Sequence, residues 1–143
     1  MTLAMLRLTR RLSLLLVIFL ALAACGHSDD PLPSPIALTE SASGSTVALR
    51  QGQILTVSLQ ENSSTGFTWE IQPGYESFLS QQGASQYVAD SSGTGIAGAG
   101  GVRTFKFLTI ASGNFTLKLI YRQPWMTGVA PAKTFEVAIA VGG

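Results

Sequence analysis

Strict alternation of apolar and polar residues constrains the fold of this chain more than any other feature. Apolar side chains recur at every second position in several separate segments, the pattern of a strand with one buried face. No stretch after residue 24 shows a convincing helical period with caps. The alternating segments are Val47 and Leu49; Leu55, Val57 and Leu59; Phe67, Trp69 and Ile71; Phe105 and Phe107; Phe115, Leu117, Leu119 and Tyr121; Phe135, Val137, Ile139 and Val141; and, more weakly, Tyr87 to Ala89.

Short strands that each carry one apolar face predict an all-β sandwich in which two sheets bury those faces against each other. Trp69 alternates with Phe67 and Ile71, so we expect it in the core rather than at a binding surface. Function is expected in the loops, because loops on a rigid scaffold commonly carry binding.

Residues 1–24 are predicted to be a signal peptide. Three arginines precede the apolar run Leu12 to Ala24, which is shorter than the roughly 20 residues of a membrane-spanning helix. The motif Leu22-Ala23-Ala24-Cys25 resembles a bacterial lipobox, which implies cleavage before Cys25 and lipid attachment to it. Residues 25–35 are polar and contain prolines, so they are predicted to form a flexible tether. Residues 36–143 are predicted to form the domain. Position 26 is Gly rather than the Asp that would resemble an inner-membrane retention signal. We therefore expect the lipoprotein to be anchored in the outer membrane, with its domain facing the periplasm.

The composition excludes several classes of function. Without its first 24 residues the chain has six basic and eight acidic side chains, too few cations for nucleic-acid binding. Cys25 is the sole cysteine and the sole histidine lies in the tether, so the domain can form neither a disulfide nor a catalytic triad. The scattered acidic residues predict no metal site. We therefore expect no cofactor and no enzyme, although a site of two carboxylates brought together by folding stays open.

Three motifs lie between the predicted strands, in order: Asn62-Ser63-Ser64-Thr65-Gly66-Phe67-Thr68-Trp69, then Gly98-Ala99-Gly100-Gly101, then Tyr121-Arg122-Gln123-Pro124-Trp125. Each alone has an ordinary structural explanation: a turn for the first, a slack loop for the second, and a tryptophan packed beneath its loop for the third. Together they resemble the N-P-T-T-G-Y-x-W, G-x-G-G and Y-x-R-P-W signatures of the chagasin family of cysteine peptidase inhibitors, over roughly residues 45 to 142.

The resemblance implies an immunoglobulin-like β-sandwich of two antiparallel sheets with the three loops at one end. It further implies a monomer that inhibits papain-like cysteine peptidases reversibly and competitively. The first loop would approach the catalytic cysteine and the other two would brace the cleft walls. The residues implied to bind the peptidase are Asn62, Ser63, Ser64, Thr65, Gly66, Phe67, Gly98, Ala99, Gly100, Gly101, Arg122, Gln123, Pro124 and Trp125.

The chain departs from the family signatures at three positions. Ser63 replaces Pro, Phe67 replaces Tyr, and Gln123 replaces Arg, with Arg122 one place earlier and expected on the opposite face of the strand. Losing a proline frees the unbound loop, a change worth roughly 0.4–1 kcal/mol. Two other functions stay open: a non-inhibitory envelope lipoprotein that binds glycan or protein, and a purely structural lipoprotein.

The lipobox generates the first testable prediction. In fractionated bacterial cells, the Cys25→Ala variant should lose its attachment to the membrane, because the acyl chains that hold the protein there can no longer be added. A variant that is processed and stays in the membrane fraction like the parent would contradict the prediction.

Overall fold

The computed structural model describes residues 33–90 and 100–143. The predicted signal peptide, Cys25 and residues 25–32 of the tether lie outside the described residues, as do Gly98 and Ala99 of the second motif. Within the described ranges, no helix is long and apolar enough to cross a membrane.

Nine strands make up most of the described chain. Two single-turn 3-10 helices, Glu40–Ala42 and Ser63–Thr65, interrupt them. All the strands predicted from alternation are present; the two additional ones, β1 and β5, have three residues each, too few for alternation to be recognised. The strands are β1 (Ile36–Leu38), β2 (Thr46–Arg50), β3 (Ile54–Glu61), β4 (Thr68–Ile71), β5 (Leu79–Gln81), β6 (Gln86–Ala89), β7 (Gly101–Thr109), β8 (Gly113–Arg122) and β9 (Lys133–Gly142).

The strands form two sheets, which confirms the predicted all-β sandwich. One sheet has the order β1-β3-β7-β5, with β6 also paired to β7, and the other has the order β2-β9-β8-β4. The sheets are mixed rather than purely antiparallel, since β1 runs parallel to β3 and β2 runs parallel to β9. The chain passes from one sheet to the other between β1 and β2. Neither strand is therefore joined to its parallel partner by a hairpin, which would impose the antiparallel direction.

The core lies between the inward faces of the two sheets. In the first sheet Leu55 pairs with Phe107, and in the second Leu119 pairs with Phe135; all four side chains are buried. Trp69 is also buried, with 4% of its surface exposed, which confirms the prediction from its alternation. Its indole N–H donates to the Gln60 carbonyl at 2.9 Å, so burial leaves no polar atom of the ring unpaired.

A charged layer closes the core at one end. Glu61 is on β3 and Arg103 is on β7. Each occupies the next inward-facing position after the apolar residues of its strand. The Arg103 guanidinium donates two hydrogen bonds to the Glu61 carboxylate, at 2.6 and 2.5 Å, and 1% of the Glu61 side chain is exposed. The same carboxylate accepts hydrogen bonds from the Trp69 N–H and the Thr68 hydroxyl, both at 3.1 Å. These two residues are on β4, which belongs to the other sheet. One side chain thus joins the two sheets.

The hydrogen bonds keep Glu61 ionised despite its burial. Burial alone would raise the pKa of this carboxyl, but the bonds from Arg103 and Trp69, the guanidinium charge and the Thr68 hydroxyl outweigh it and hold the pKa below its ordinary value. Since the pKa is lower in the folded state, the ionised pair contributes stability above the pKa that Glu has in the unfolded chain. That contribution is lost as pH falls through the folded pKa.

The burial of Trp69 generates a prediction on stability. Trp69→Ala should lower the free energy of unfolding by about 3–5 kcal/mol, because it leaves a cavity in the core. Urea denaturation followed by circular dichroism measures the change. Trp125→Ala, at an exposed tryptophan, is the matched control and should unfold almost like the parent. Equal midpoints for the two variants would show that Trp69 does not support the core.

The Glu61–Arg103 pair generates a prediction on pH dependence. Glu61→Gln should destabilise the protein at pH 7 by about 3–5 kcal/mol, because it leaves a largely buried guanidinium without its counter-charge. Parent stability should fall as the pH drops below about 4, and the variant should show a weaker fall. Melting curves from pH 7 to pH 3 measure both effects.

Glu136→Gln is the control for this experiment. Glu136 pairs with Lys118 at 3.3 Å, but about half of each side chain is exposed. Exposed pairs contribute at most about 1 kcal/mol, so this variant should keep nearly the parent's stability and acid sensitivity. Identical pH profiles for parent and Glu61→Gln would contradict the role given to the buried pair.

Candidate functional site

Strand register brings the ends of three loops together at the charged end of the sandwich. Glu61, at the end of β3, pairs with Gly101, at the start of β7. Thr68, at the start of β4, pairs with Arg122, at the end of β8. The first loop (residues 62–67) therefore begins beside the end of the second (90–100) and ends beside the start of the third (123–132).

Hydrogen bonds within the first loop shape it into one 3-10 turn. The Asn62 side-chain oxygen caps the turn by accepting from the Ser64 N–H at 3.2 Å and the Ser64 hydroxyl at 2.6 Å. The Thr65 hydroxyl donates to the Asn62 carbonyl at 2.6 Å. Below the turn, the Asn62 N–H donates to the Tyr121 hydroxyl at 2.9 Å, which ties the loop to β8. The turn presents Thr65 at its exposed tip.

Gly66 is required at the end of this turn for two reasons. Its φ is +73°, in the left-handed region that residues with a side chain rarely adopt. A β-carbon at this position would also overlap the six-membered ring of Trp125. The ring therefore lies directly on the Gly66 backbone, yet 65% of the Trp125 surface stays exposed. Trp125 is thus held in place and available to a partner.

Gln123 forms a second link between the third and first loops. Its side-chain amide donates to the Thr65 carbonyl at 3.0 Å. Arg122 points to the outer face of the sheet, where its guanidinium donates to Glu70 at 2.7 Å. Arg122 therefore lies on the face expected from alternation, where it lines a small pocket with Gln123 and Met126 of the third loop. Gln123 is the residue that bonds to the first loop.

Phe67 lies beneath the tip. It is half-buried, and its ring centroid is 5.4 Å from that of Tyr121, in the row of aromatic rings that continues to Trp69. A groove of about 410 Å³ opens beside this row and is lined by Thr65, Phe67, Gly100, Tyr121 and Lys133 among others. Phe67 thus anchors the loop to the core and forms part of the groove.

The described part of the second loop shows two different roles for glycine. Gly100 closes the base of the loop, where its carbonyl accepts from the Asp90 N–H at 2.9 Å. Gly101 is buried in β7, and a β-carbon there would lie 2.6 Å from the Tyr87 hydroxyl. Gly101 is therefore needed for the packing of β6 on β7, a role that the motif alone does not indicate.

Sequence reasoning missed Glu61, Arg103 and the contact made by Gln123. The sequence did contain a signal for Glu61 and Arg103. These opposite charges occupy positions where the alternation of the neighbouring strand residues predicts apolar side chains. Nothing local marks Gln123, because its partner lies 58 residues away. Among the described residues, no three His, Cys, Asp or Glu side chains are grouped closely enough to hold a metal ion.

Comparison with known proteins identifies relatives of the whole domain. The chain is 29% identical to Amoebiasin-1 of Entamoeba histolytica over 106 residues, covering 74% of this chain and 99% of the relative. It is 27% identical to Chagasin of Trypanosoma cruzi over 105 residues, covering 70% and 92%.

Solved structures show the same fold. A crystal structure of a cysteine protease inhibitor from Entamoeba histolytica superposes with a TM-score of 0.70 at 24% identity, over 78% of this chain and 99% of that one. The solution structure of amebosin gives a TM-score of 0.59 at 29% identity, over 77% and 99%. The sequence model of the chagasin family of peptidase inhibitors matches residues 48–139. That match spans more than half of the chain, and the chain therefore belongs to the chagasin family of peptidase inhibitors.

Proposed function

We propose that this protein inhibits papain-like cysteine peptidases reversibly and competitively by placing its three loops in the active-site cleft. The observation that carries the proposal is the Thr65–Gly66 tip: Thr65 is exposed, Gly66 is half-buried beneath the Trp125 ring, and Gln123 bonds to the Thr65 carbonyl. A tip without bulky side chains can approach a catalytic cysteine closely. It blocks the site by occupying it, and no residue of the loop has to react.

Rigidity of the loops supports this mode of binding. The first loop is tied at its start to Tyr121, and the residues that follow it are tied to Glu61. A loop that is already ordered loses little conformational freedom on association, so more of its contact energy appears as affinity. Glu61 is therefore a positioning residue for the inhibitory loop.

The distribution of exposed apolar side chains favours an inhibitor over the alternative, an envelope lipoprotein that binds glycan or protein. A glycan-binding sandwich would be expected to spread aromatic rings across a sheet face. Instead, three of the five large apolar side chains exposed among the described residues, Trp125, Met126 and Val129, belong to the third loop. An apolar loop that holds an exposed tryptophan is typical of a protein-binding surface.

We also propose that the inhibitor has no enzymatic activity of its own, since its domain carries neither the cysteine nor the histidine of a catalytic triad, and that it acts as a monomer. The sequence of residues 1–35 supports a further proposal on its location. Lipid on Cys25 would anchor it to the outer membrane, and residues 25–35 would hold the domain away from the membrane surface, in the periplasm. The natural target would then be a peptidase that reaches this compartment.

The proposed mode of inhibition predicts the effects of substitutions at the loop tips. Thr65→Arg should abolish inhibition, because it places bulk and a desolvated charge in the tightest contact. Trp125→Ala should weaken inhibition about thirtyfold, the loss of about 2 kcal/mol typical of a hot spot. Inhibition constants against papain and other papain-like enzymes measure both effects, with a serine peptidase as the specificity control.

Ile110→Ala provides a matched control for Trp125→Ala. Ile110 is an exposed apolar residue that follows β7, at the opposite end of the sandwich from the loops. This variant should inhibit like the parent, and all three variants should keep nearly the parent's melting temperature. Failure of the parent to inhibit any papain-like enzyme, or equal inhibition by parent, Thr65→Arg and Trp125→Ala, would favour the envelope-binding alternative.

A further inference from the structure

Gln123 and Trp125 hold two consecutive residues of the inhibitory tip. The Gln123 amide donates to the Thr65 carbonyl at 3.0 Å, and the Trp125 ring covers the backbone of Gly66. Both contacts reach from the third loop to the first. The shape of the tip therefore depends on the third loop as well as on the turn that contains it.

The restraints within the turn itself are local hydrogen bonds without packing, so its order also depends on contacts from outside it. Ser63, Ser64 and Thr65 are all exposed, so packing contributes little to holding them. The internal bonds are side-chain caps and a single turn, with the Gly66 N–H donating to the Ser63 carbonyl at 3.2 Å. The family signature has a proline at position 63, which would restrict the unbound loop, and serine does not supply that restriction.

We propose that Gln123 is a positioning residue that fixes the Thr65–Gly66 tip in its binding conformation and thereby replaces the rigidity that a proline at position 63 would supply. The two departures from the family signature, Ser63 and Gln123, then compensate for each other. The effect on inhibition rests on the proposed function, whereas the effect on loop order does not.

A proline at position 63 is compatible with the observed turn. Ser63 is the first residue of the 3-10 turn, where proline is well tolerated. Asn62 before it is extended: its φ of −115° is in the range that a following proline favours, and its ψ of 94° lies below that range but outside the helical region that proline disfavours. Among the described residues the Ser63 N–H donates no hydrogen bond, so proline removes none. The substitution can therefore test whether the two restraints are interchangeable.

The experiment is a double-substitution cycle of four proteins: the parent, Gln123→Leu, Ser63→Pro and the double variant. Leucine has a similar volume to glutamine but no donor. Gln123→Leu should raise the inhibition constant for papain about three- to tenfold, the effect of one lost hydrogen bond. Ser63→Pro should lower the inhibition constant by a larger factor in the Gln123→Leu background, where it should recover most of the loss, than in the parent; comparing the two factors cancels any direct effect of position 63 on the peptidase.

Hydrogen exchange at the Gly66 amide provides a readout that does not depend on inhibition. Its bond to the Ser63 carbonyl breaks when the turn opens, so its exchange rate reports the order of the loop. The rate should rise in Gln123→Leu and return towards the parent rate in the double variant. Melting temperatures should change much less than in Trp69→Ala, since the residues lie outside the core.

Gln51→Leu is the matched control. The Gln51 side-chain amide donates to the Ile110 carbonyl at 2.9 Å, a bond of the same kind at the opposite end of the sandwich. Its loss should leave both the inhibition constant and Gly66 exchange unchanged. Gly66 exchange in Gln123→Leu equal to that of the parent, or additive effects of the Gln123 and Ser63 substitutions, would overturn the inference. A parent that fails to inhibit while exchange behaves as expected would overturn the proposed function alone.

Discussion

The hydrogen bonds that converge on the Glu61 carboxylate are the interaction on which the loop end of this domain depends. The carboxylate lies at the last position of β3 and accepts from Arg103 in its own sheet and from Thr68 and Trp69 in the other. An inward-facing charge is tolerated here because all these donors converge on it. The two sheets are thereby fixed relative to each other just below the loops. The bonds of 3.1 Å from Thr68 and Trp69 to the Glu61 carboxylate set the distance between the two ends of the first loop.

The three loops form a connected assembly above this contact. Tyr121 links β8 to the start of the first loop through its hydroxyl, and its ring packs against Phe67 and Trp69. Gln123 and Trp125, two and four residues further along, reach the tip itself. A single stretch of chain therefore supports the first loop at its base and at its tip. A substitution in this stretch is expected to act on the shape of the first loop even where it touches no peptidase.

The proposed compensation between Ser63 and Gln123 would let one family keep a binding mode while its signature residues change. Proline at position 63 would act on the unbound chain by limiting its conformations, whereas a hydrogen bond from Gln123 acts on the folded loop by stabilising one of them. The two restraints have different physical origins but the same consequence, a tip that needs little ordering when it binds. Family motifs are therefore best interpreted together with the contacts that surround them.

Sequence alone determined which residues face inward, because side-chain direction along a strand alternates locally and the apolar residues follow that period. It also predicted the burial of Trp69 and, through the family resemblance, three loops at one end of the sandwich. It did not indicate the parallel edge strands, the packing role of Gly101, the Glu61–Arg103 pair or the bond from Gln123 to Thr65. The two bonded pairs join residues 42 and 58 positions apart. Only the tertiary structure decided these contacts, because they depend on the register and stacking of strands distant in the chain, and no local pattern encodes that register.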